Sequence, residues 1–574
     1  MLAPLRGEES AIYSGVYENG AFQSLTFVNS VVGWDTFFNA GYLGSGRVIA
    51  NVEAGLVWDG HEAFLRPSGS PVAIGQTFVG TGALSEVDFH ATMVGHVLAG
   101  TGYVANSNPA QFTFAGLGMA PLAELWSGAI ATSYSQTQIG SFETTTNSTI
   151  SVYRAFFQGI NGVKPDAINS SWGGDDPTAG STEILAIDGL ARQNATVAFV
   201  ASGGNGVNDP VSAPASTFNS IAVGSLGGAN FLTPSNFSSR GAVDFYNPVT
   251  GLTLVGVRAA VDIAAPGENF ALAAYLGDSG SLGASTDPQI QAILTTPSAT
   301  DRYFLNQSGT SFSAPIVAGG IALLKDAAAN DFFFNLNAVP TATDSRTIKS
   351  VLMAGATETV GWTNGQTTNG QGVTTTTQSL DYATGSGALN LDNTVGIYLL
   401  SGTRDLTGST GGTITDSGWD FANLTPTQSN DYSFANPFST AVELTISLNW
   451  FAGRSFNNQT GIGEDLSFSN LNLEVWQVLN GEFLTMLASS ASVYNNTEFL
   501  RLDLPSGSYG IRVTFNGLVY GSATDESYAV AWRSQAVPEP SVVILLVMAG
   551  GVLALRFSRR LRSARKGGGG GIAV

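Results

Sequence analysis

Ser308-Gly309-Thr310-Ser311-Phe312-Ser313-Ala314-Pro315 runs directly into Ile316-Val317-Ala318-Gly319-Gly320-Ile321-Ala322-Leu323-Leu324. A small, flexible turn delivers one hydroxyl, and a helix that is apolar on all sides follows; such a helix is expected to be buried. Pro315 is expected in the first helical turn, where its missing N–H leaves no bond unmade. Ser311 then sits at a helix N-terminus, where unpaired N–H groups and the helix dipole favour negative charge. That setting suits an acyl-transfer nucleophile, whose attack creates an oxyanion. A serine is weak until a base takes its proton, so the rest of the chain must supply one.

The candidates are few. Only His61, His90 and His96 are present. His90 opens His90-Ala91-Thr92-Met93-Val94-Gly95-His96, a stretch of small and apolar residues that reads as the start of a closely packed helix. His96, deeper in that helix, and His61, in the loop-like Trp58-Asp59-Gly60-His61-Glu62, read as structural. A base needs an orienting group. Val48-Ile49-Ala50-Asn51-Val52 reads as a short buried strand, ending in Glu53. A carboxylate at the end of a core strand is costly to bury without a partner, which makes Glu53 a functional candidate. Asp88, two residues before His90, and Asp59 are the alternatives, although Asp88 is too close along the chain to meet the imidazole easily.

The order acid, histidine, serine, with these surroundings, resembles the subtilisin-like serine proteases (subtilases). Gly309-Thr310-Ser311-Phe312-Ser313-Ala314-Pro315 is similar to the nucleophile motif and His90-Ala91-Thr92 to the histidine motif. Asn51-Val52-Glu53-Ala54-Gly55 is similar to the aspartate motif, with Glu in place of the usual Asp. Ala201-Ser202-Gly203-Gly204-Asn205-Gly206 resembles the segment carrying the oxyanion-hole asparagine. Ile168-Asn169-Ser170-Ser171-Trp172-Gly173-Gly174 resembles the strand lining the substrate cleft. Further segments, among them Asp262-Ile263-Ala264-Ala265-Pro266-Gly267, agree in order and spacing, from about residue 40 to about 395. The resemblance implies a serine endopeptidase with Ser311 as nucleophile, His90 as base, Glu53 as orienting acid and Asn205 as oxyanion donor. It also implies that Ser171, Trp172 and Gly173 form a wall of the substrate site, with Trp172 either narrowing a pocket or packing inward. No cofactor is required for such chemistry, and no metal ligand is assigned. A structural calcium ion could draw on acids such as Asp503 or Asp525, but nothing in the spacing fixes a site. The competing reading is an inactive scaffold used for binding; a third limits the enzyme to self-processing.

The expected fold is α/β: a subtilisin-like parallel sheet flanked by helices, then an antiparallel β-sandwich and a C-terminal membrane helix. The divisions expected are an N-terminal segment (1–39), a peptidase domain (40–395), a Gly/Thr/Ser-rich linker (396–417), a jelly-roll-like sandwich (418–535) and a tail (536–574). The sandwich is read from alternating runs such as Ala441–Trp450 and Tyr509–Phe515. Hydrophobic residues make up 43% of the 574, enough for large cores, and the net charge of −20 argues against nucleic acid as a partner. There is no cysteine, so no disulfide forms.

In the tail, Val537-Pro538-Glu539-Pro540 precedes the apolar run Val542–Leu555, and an arginine cluster from Arg556 to Arg565 follows. Apolar run and basic flank read as a membrane helix with its positive end inside. Together with the Pro-Glu-Pro they resemble the PEP-CTERM sorting signal. That implies export, anchoring in the inner membrane, an exosortase-type processing enzyme as partner, and a final place at the cell surface or outside the cell. Residues 1–10 lack the pattern of a signal peptide, so the natural start is expected further upstream.

Overall fold

The computed structural model describes residues 12–536, apart from 19–20, 23–25, 66–73, 103–115, 296–301, 331–335, 337–338, 407–410 and 437–439. The apolar run read as a membrane helix lies outside the described residues. Among those described, the one helix long and apolar enough to cross a membrane is Thr310–Asn330, and it is buried inside the protein.

The first half is built on an eight-stranded sheet. Its order is Thr233–Pro234, Ile221–Gly227, Ala198–Ser202, Ala167–Ser170, Val48–Glu53, Glu124–Ala129, Ile74–Val79, with Ile263–Pro266 also paired to Ile221–Gly227. All pairings are parallel except that of Thr233–Pro234. Such sheets are covered on both faces, so their strands are apolar on both sides, and every residue of Val48–Glu53 is buried. Alternation along this strand divides two cores. Ile49 faces a cluster containing Val94 and Val97 of the helix Phe89–Ala99 and Ile316 and Val317 of the helix Thr310–Asn330. Val48, Ala50 and Val52 face the opposite cluster, with Phe156 of Thr146–Gln158 and Ile187 of Thr182–Gln193. With a side-chain period of two, Asn51 and Glu53 fall on the face of Ile49, under the helices that begin near His90 and Ser311.

Strand order also sets the position of the site. From Val48–Glu53 the chain first builds the sheet in one direction, through Glu124–Ala129 and Ile74–Val79. It then crosses to Ala167–Ser170 and builds in the other. The crevice beyond the carboxyl ends of strands at such a reversal is where open α/β sheets bind ligands. Glu53 and Ser171 lie at those two ends.

The helix Thr310–Asn330 begins one residue before Ser311, so Pro315 lies in its second turn rather than, as the sequence suggests, its first. Pro315 has no N–H to give the carbonyl of Ser311 four residues back; the hydroxyl of Ser171 donates to that carbonyl instead, at 2.9 Å.

The second half is β-rich. A five-stranded sheet in the order Thr403–Arg404, Ser417–Leu424, Glu526–Ala536, Val442–Trp450, Thr497–Leu504 faces a larger one centred on Ile462–Leu479 and Gly507–Gly521. Leu444, Ile446, Trp450, Leu473, Ile511 and Trp532 fill the core between them. The stretch 396–417, read from sequence as a linker, contributes Thr403–Arg404 and Gly411–Thr413 to the edges of the two sheets. Thr374–Thr376, from within the span read as the peptidase domain, pairs with Ala488–Ser490. The described residues between 12 and 40 likewise belong to the body of the first half: Ser14 pairs with Phe270, and Trp34 is fully buried and donates to the carbonyl of Met119 at 2.8 Å. The two halves share a core, since Phe456, Phe468 and Tyr520 pack with Ile187 and Phe218.

Candidate active site

Glu53, 1% exposed, ends its strand with both carboxylate oxygens engaged. Oε2 lies 3.0 Å from His90 Nδ1, and Oε1 accepts the backbone N–H of Ser171 at 3.0 Å. The extra methylene of Glu relative to Asp is thus accommodated on a strand in regular register with its neighbours, Val52 opposite Ser170 and Glu53 opposite Ala129. Because Nδ1 donates to the carboxylate, the lone pair of neutral His90 is on Nε2. Burial opposes charge on this imidazole, but the Glu53 charge and hydrogen bond, with Asp88 nearby, outweigh it and raise its pKa above the ordinary value.

Asp88 has a different task. It caps the helix Phe89–Ala99 by accepting the N–H of His90 at 3.0 Å, and its other oxygen accepts Ser281 N–H at 2.9 Å. Asp59 is exposed. The other two histidines are structural: His61 Nε2 lies 2.7 Å from the carbonyl of Arg302, and His96 Nε2 lies 2.9 Å from that of Gly116. In each, Nδ1 accepts a backbone N–H. Burial lowers the pKa of both, that of His96 to about 3.

Ser311 is 7% exposed, in the first turn of its helix. Its hydroxyl donates to the carbonyl of Ser171 at 3.2 Å; among the described residues no hydrogen bond joins it to His90. Its backbone N–H has no partner there either, as expected for a first-turn donor. Beside it stands Asn205, exposed on the segment that leaves Ala198–Ser202. The side-chain oxygen of Asn205 accepts both the N–H and the hydroxyl of Thr310, each at 2.9 Å. That fixes the amide's orientation and leaves Nδ2 without a hydrogen-bond partner among the described residues. Ser311 and Asn205 thus bring a backbone N–H and an amide N–H to the lining of one cleft.

Ser171 joins the parts. Its N–H holds Glu53, its carbonyl holds the Ser311 hydroxyl, and its own hydroxyl holds the Ser311 carbonyl and accepts from Asn169 Nδ2 at 3.1 Å. Sequence reading assigned Ser171 only to the cleft wall and gave Thr310 no task. Neither role has a local signature, because each depends on strands and helices brought together by the fold.

A cleft of about 450 Å³ opens beside Ser311. Ser171–Asp175 forms one wall and Ser202–Gly206 the other, and Ser212 and Ala213 also line it. Gly173 is exposed. Trp172 lines the cleft but is anchored inward: its N–H donates to the Tyr153 hydroxyl at 3.1 Å, and its ring meets Phe142 edge-on. Among the described residues no cluster of three or more His, Asp or Glu stands ready for a metal ion.

No curated protein matches the chain. Among solved structures, one titled "Structure of Prenylagaramide maturation protease PagA" is similar at 20% identity and a TM-score of 0.40, covering 63% of this chain and 98% of that one. The model of the subtilase family matches residues 79–387, a span that includes His90, Ser171–Gly173, Asn205 and Ser311 and begins after Glu53. That match takes in more than half of the 574 residues, and the chain belongs to the subtilase family of serine peptidases.

Proposed function

We propose that the protein is a serine endopeptidase working through Glu53, His90 and Ser311. The observation that carries this reading is the Glu53–His90 hydrogen bond, in a site where Asn205, its amide oriented by Thr310, lines the same cleft as Ser311. His90 Nε2 takes the proton of Ser311 as its oxygen attacks the scissile carbonyl. The oxyanion then forms against Ser311 N–H and Asn205 Nδ2. Glu53 keeps the imidazole in the required tautomer and stabilises its charged form. His90 returns the proton to the leaving amine, and water repeats the sequence to release the acyl group. No cofactor takes part. The peptide substrate lies extended along Ser171–Gly173, paired through main-chain groups.

The test is labelling by a fluorophosphonate probe together with hydrolysis of casein. Wild type should label and cleave, and Ser311→Ala should do neither. Folded wild type that takes no label would favour the second reading, a binding scaffold. That reading draws on the Ser311 hydroxyl, which rests on the Ser171 carbonyl rather than on the imidazole.

We also propose export followed by tethering through the tail, on the strength of the Pro-Glu-Pro, apolar and arginine sequence at 538–565. In a host with an exosortase, the full chain should fractionate with membranes before processing. A version ending at residue 536 should not; equal fractionation of the two would remove the tail from the account.

A further inference from the structure

The cleft beside Ser311 has an electrostatic character that the catalytic residues do not need. Its lining includes Asp175 and Asp209 and contains no lysine, arginine or histidine. Both acids are exposed, and neither has an ion-pair partner among the described residues. A third acid at the cleft's edge is occupied: Asp176 is buried and spends its carboxylate on Thr178 Oγ1, Gly180 N–H and Ser181 N–H. Asp209 is held in place by its turn, since its N–H donates to the Gly206 carbonyl at 2.8 Å. Its carboxylate lies against Gly206 so closely that a Cβ there would come within 1.9 Å of Oδ2. The space over Gly204 is taken by Ser239 and that over Gly206 by Asp209 itself, but a Cβ at Gly173 or Gly174 would meet nothing closer than 3.6 Å, which leaves that side of the cleft open to an incoming side chain. Trp172 does not fill it, because its indole is tied to Tyr153.

We propose that this cleft selects a basic side chain, arginine or lysine, on the acyl side of the scissile bond, with Asp175 and Asp209 as its specificity-determining residues. The inference rests on the peptidase reading of Ser311. A long cationic side chain entering between the glycine-rich walls meets two carboxylates that nothing else neutralises, and charge-assisted hydrogen bonds to carboxylates are the strong ones. A glutamate side chain meets the same two charges as repulsion, and a leucine leaves them unpaired. The net charge of −20 adds a long-range field that draws basic substrates in and weakens with salt.

The experiment uses the full chain and a set of peptidyl diphenyl phosphonates that differ only at the residue entering the cleft: Arg, Lys, Leu and Glu. A simple fluorophosphonate serves as the reference. Labelling of Ser311 by the Arg and Lys probes should be faster than by Leu by about tenfold or more, with Glu slowest. Asp209→Asn and Asp175→Asn should each lower the ratio of the Arg-probe rate to the Leu-probe rate several-fold. Labelling by the reference with Leu equal to or ahead of Arg would overturn the specificity and leave the peptidase reading standing. An equal slowing of the Arg and Leu probes in both variants would also overturn it. Failure of wild type to react with any probe, the reference included, would overturn the peptidase reading and the specificity with it.

Discussion

Glu53→Gln should lower kcat/KM by about 10⁴-fold, the scale known for the acid of Ser-His-acid enzymes, subtilisin among them. The reason lies in the two donors that face this side chain. His90 Nδ1–H and Ser171 N–H each point at one carboxylate oxygen, and an amide has only one oxygen. The Ser171 donor belongs to the backbone and cannot change, so the amide oxygen stays with it and the amide NH₂ turns to Nδ1. Nδ1 must then accept, which puts the ring proton on Nε2 and removes the base. Glu53→Asp keeps the charge but withdraws the carboxylate by one methylene from a strand fixed on both sides. One of the two contacts is lost, and a misplacement of this size costs about 10²-fold.

The pH profile separates these effects from a loss of folding. His90 acts as a base only when neutral, and its pKa is raised because the Glu53 and Asp88 charges outweigh burial. The rise of kcat/KM with pH should therefore be centred above the ordinary histidine value of about 6.5. In Glu53→Gln the burial remains and the main counter-charge is gone, so the residual activity should titrate at lower pH. Full activity in Glu53→Gln, with the profile unmoved, would remove this residue from the mechanism.

Arg454→Ala should destabilise the protein by about 3–5 kcal/mol, the cost of stranding a buried charge. Arg454 lies on a sandwich strand, is 2% exposed, and reaches into the peptidase half. There it donates to Asp188 Oδ2 at 2.7 Å and to the Ala179 carbonyl at 2.7 Å, with Asp465 at 3.1 Å and the Phe218 ring 4.8 Å away. Asp188 is completely buried on the helix Thr182–Gln193, and burial already raises its pKa in spite of the arginine. Without Arg454, Asp188 and Asp465 lose their common partner. Urea unfolding of wild type and variant measures the difference. Because the two halves share a core, one cooperative transition should report on both. A loss below about 1 kcal/mol would mean that the pair behaves as an exposed one. The double variant Arg454→Met with Asp188→Asn should recover part of the loss, since it removes the more deeply buried of the two carboxylates left unpaired.

Much of the site was legible because its chemistry is written in short local patterns. The turn before Ser311 and the helix after it can be read from one stretch. The scarcity of histidine narrows the base to few choices, and a carboxylate closing an apolar strand calls for a partner. What stayed hidden depends on residues far apart in the chain. Thr310 orients Asn205 from 105 positions away, and Ser171 reaches Glu53 across 118 and Ser311 across 140. No periodicity encodes such contacts, since they arise where a parallel sheet reverses its order and a helix lies across the gap. The linker and the domain limits were obscured in the same way. Thr403–Arg404, Gly411–Thr413 and Thr374–Thr376 are two or three residues each, too short to show alternation, and they become strands only because longer partners offer them an edge.

The candidates for nucleophile, base and acid and the alternation of buried and solvated positions follow from the order of residues, because each rests on neighbours within a turn or a strand. Whether Glu53 reaches His90, which way the Asn205 amide faces and which acids of the cleft stay unpaired were left to the folded chain. Glu53 and His90 stand 37 positions apart and Asn205 and Thr310 stand 105 apart, and only packing brings such segments together.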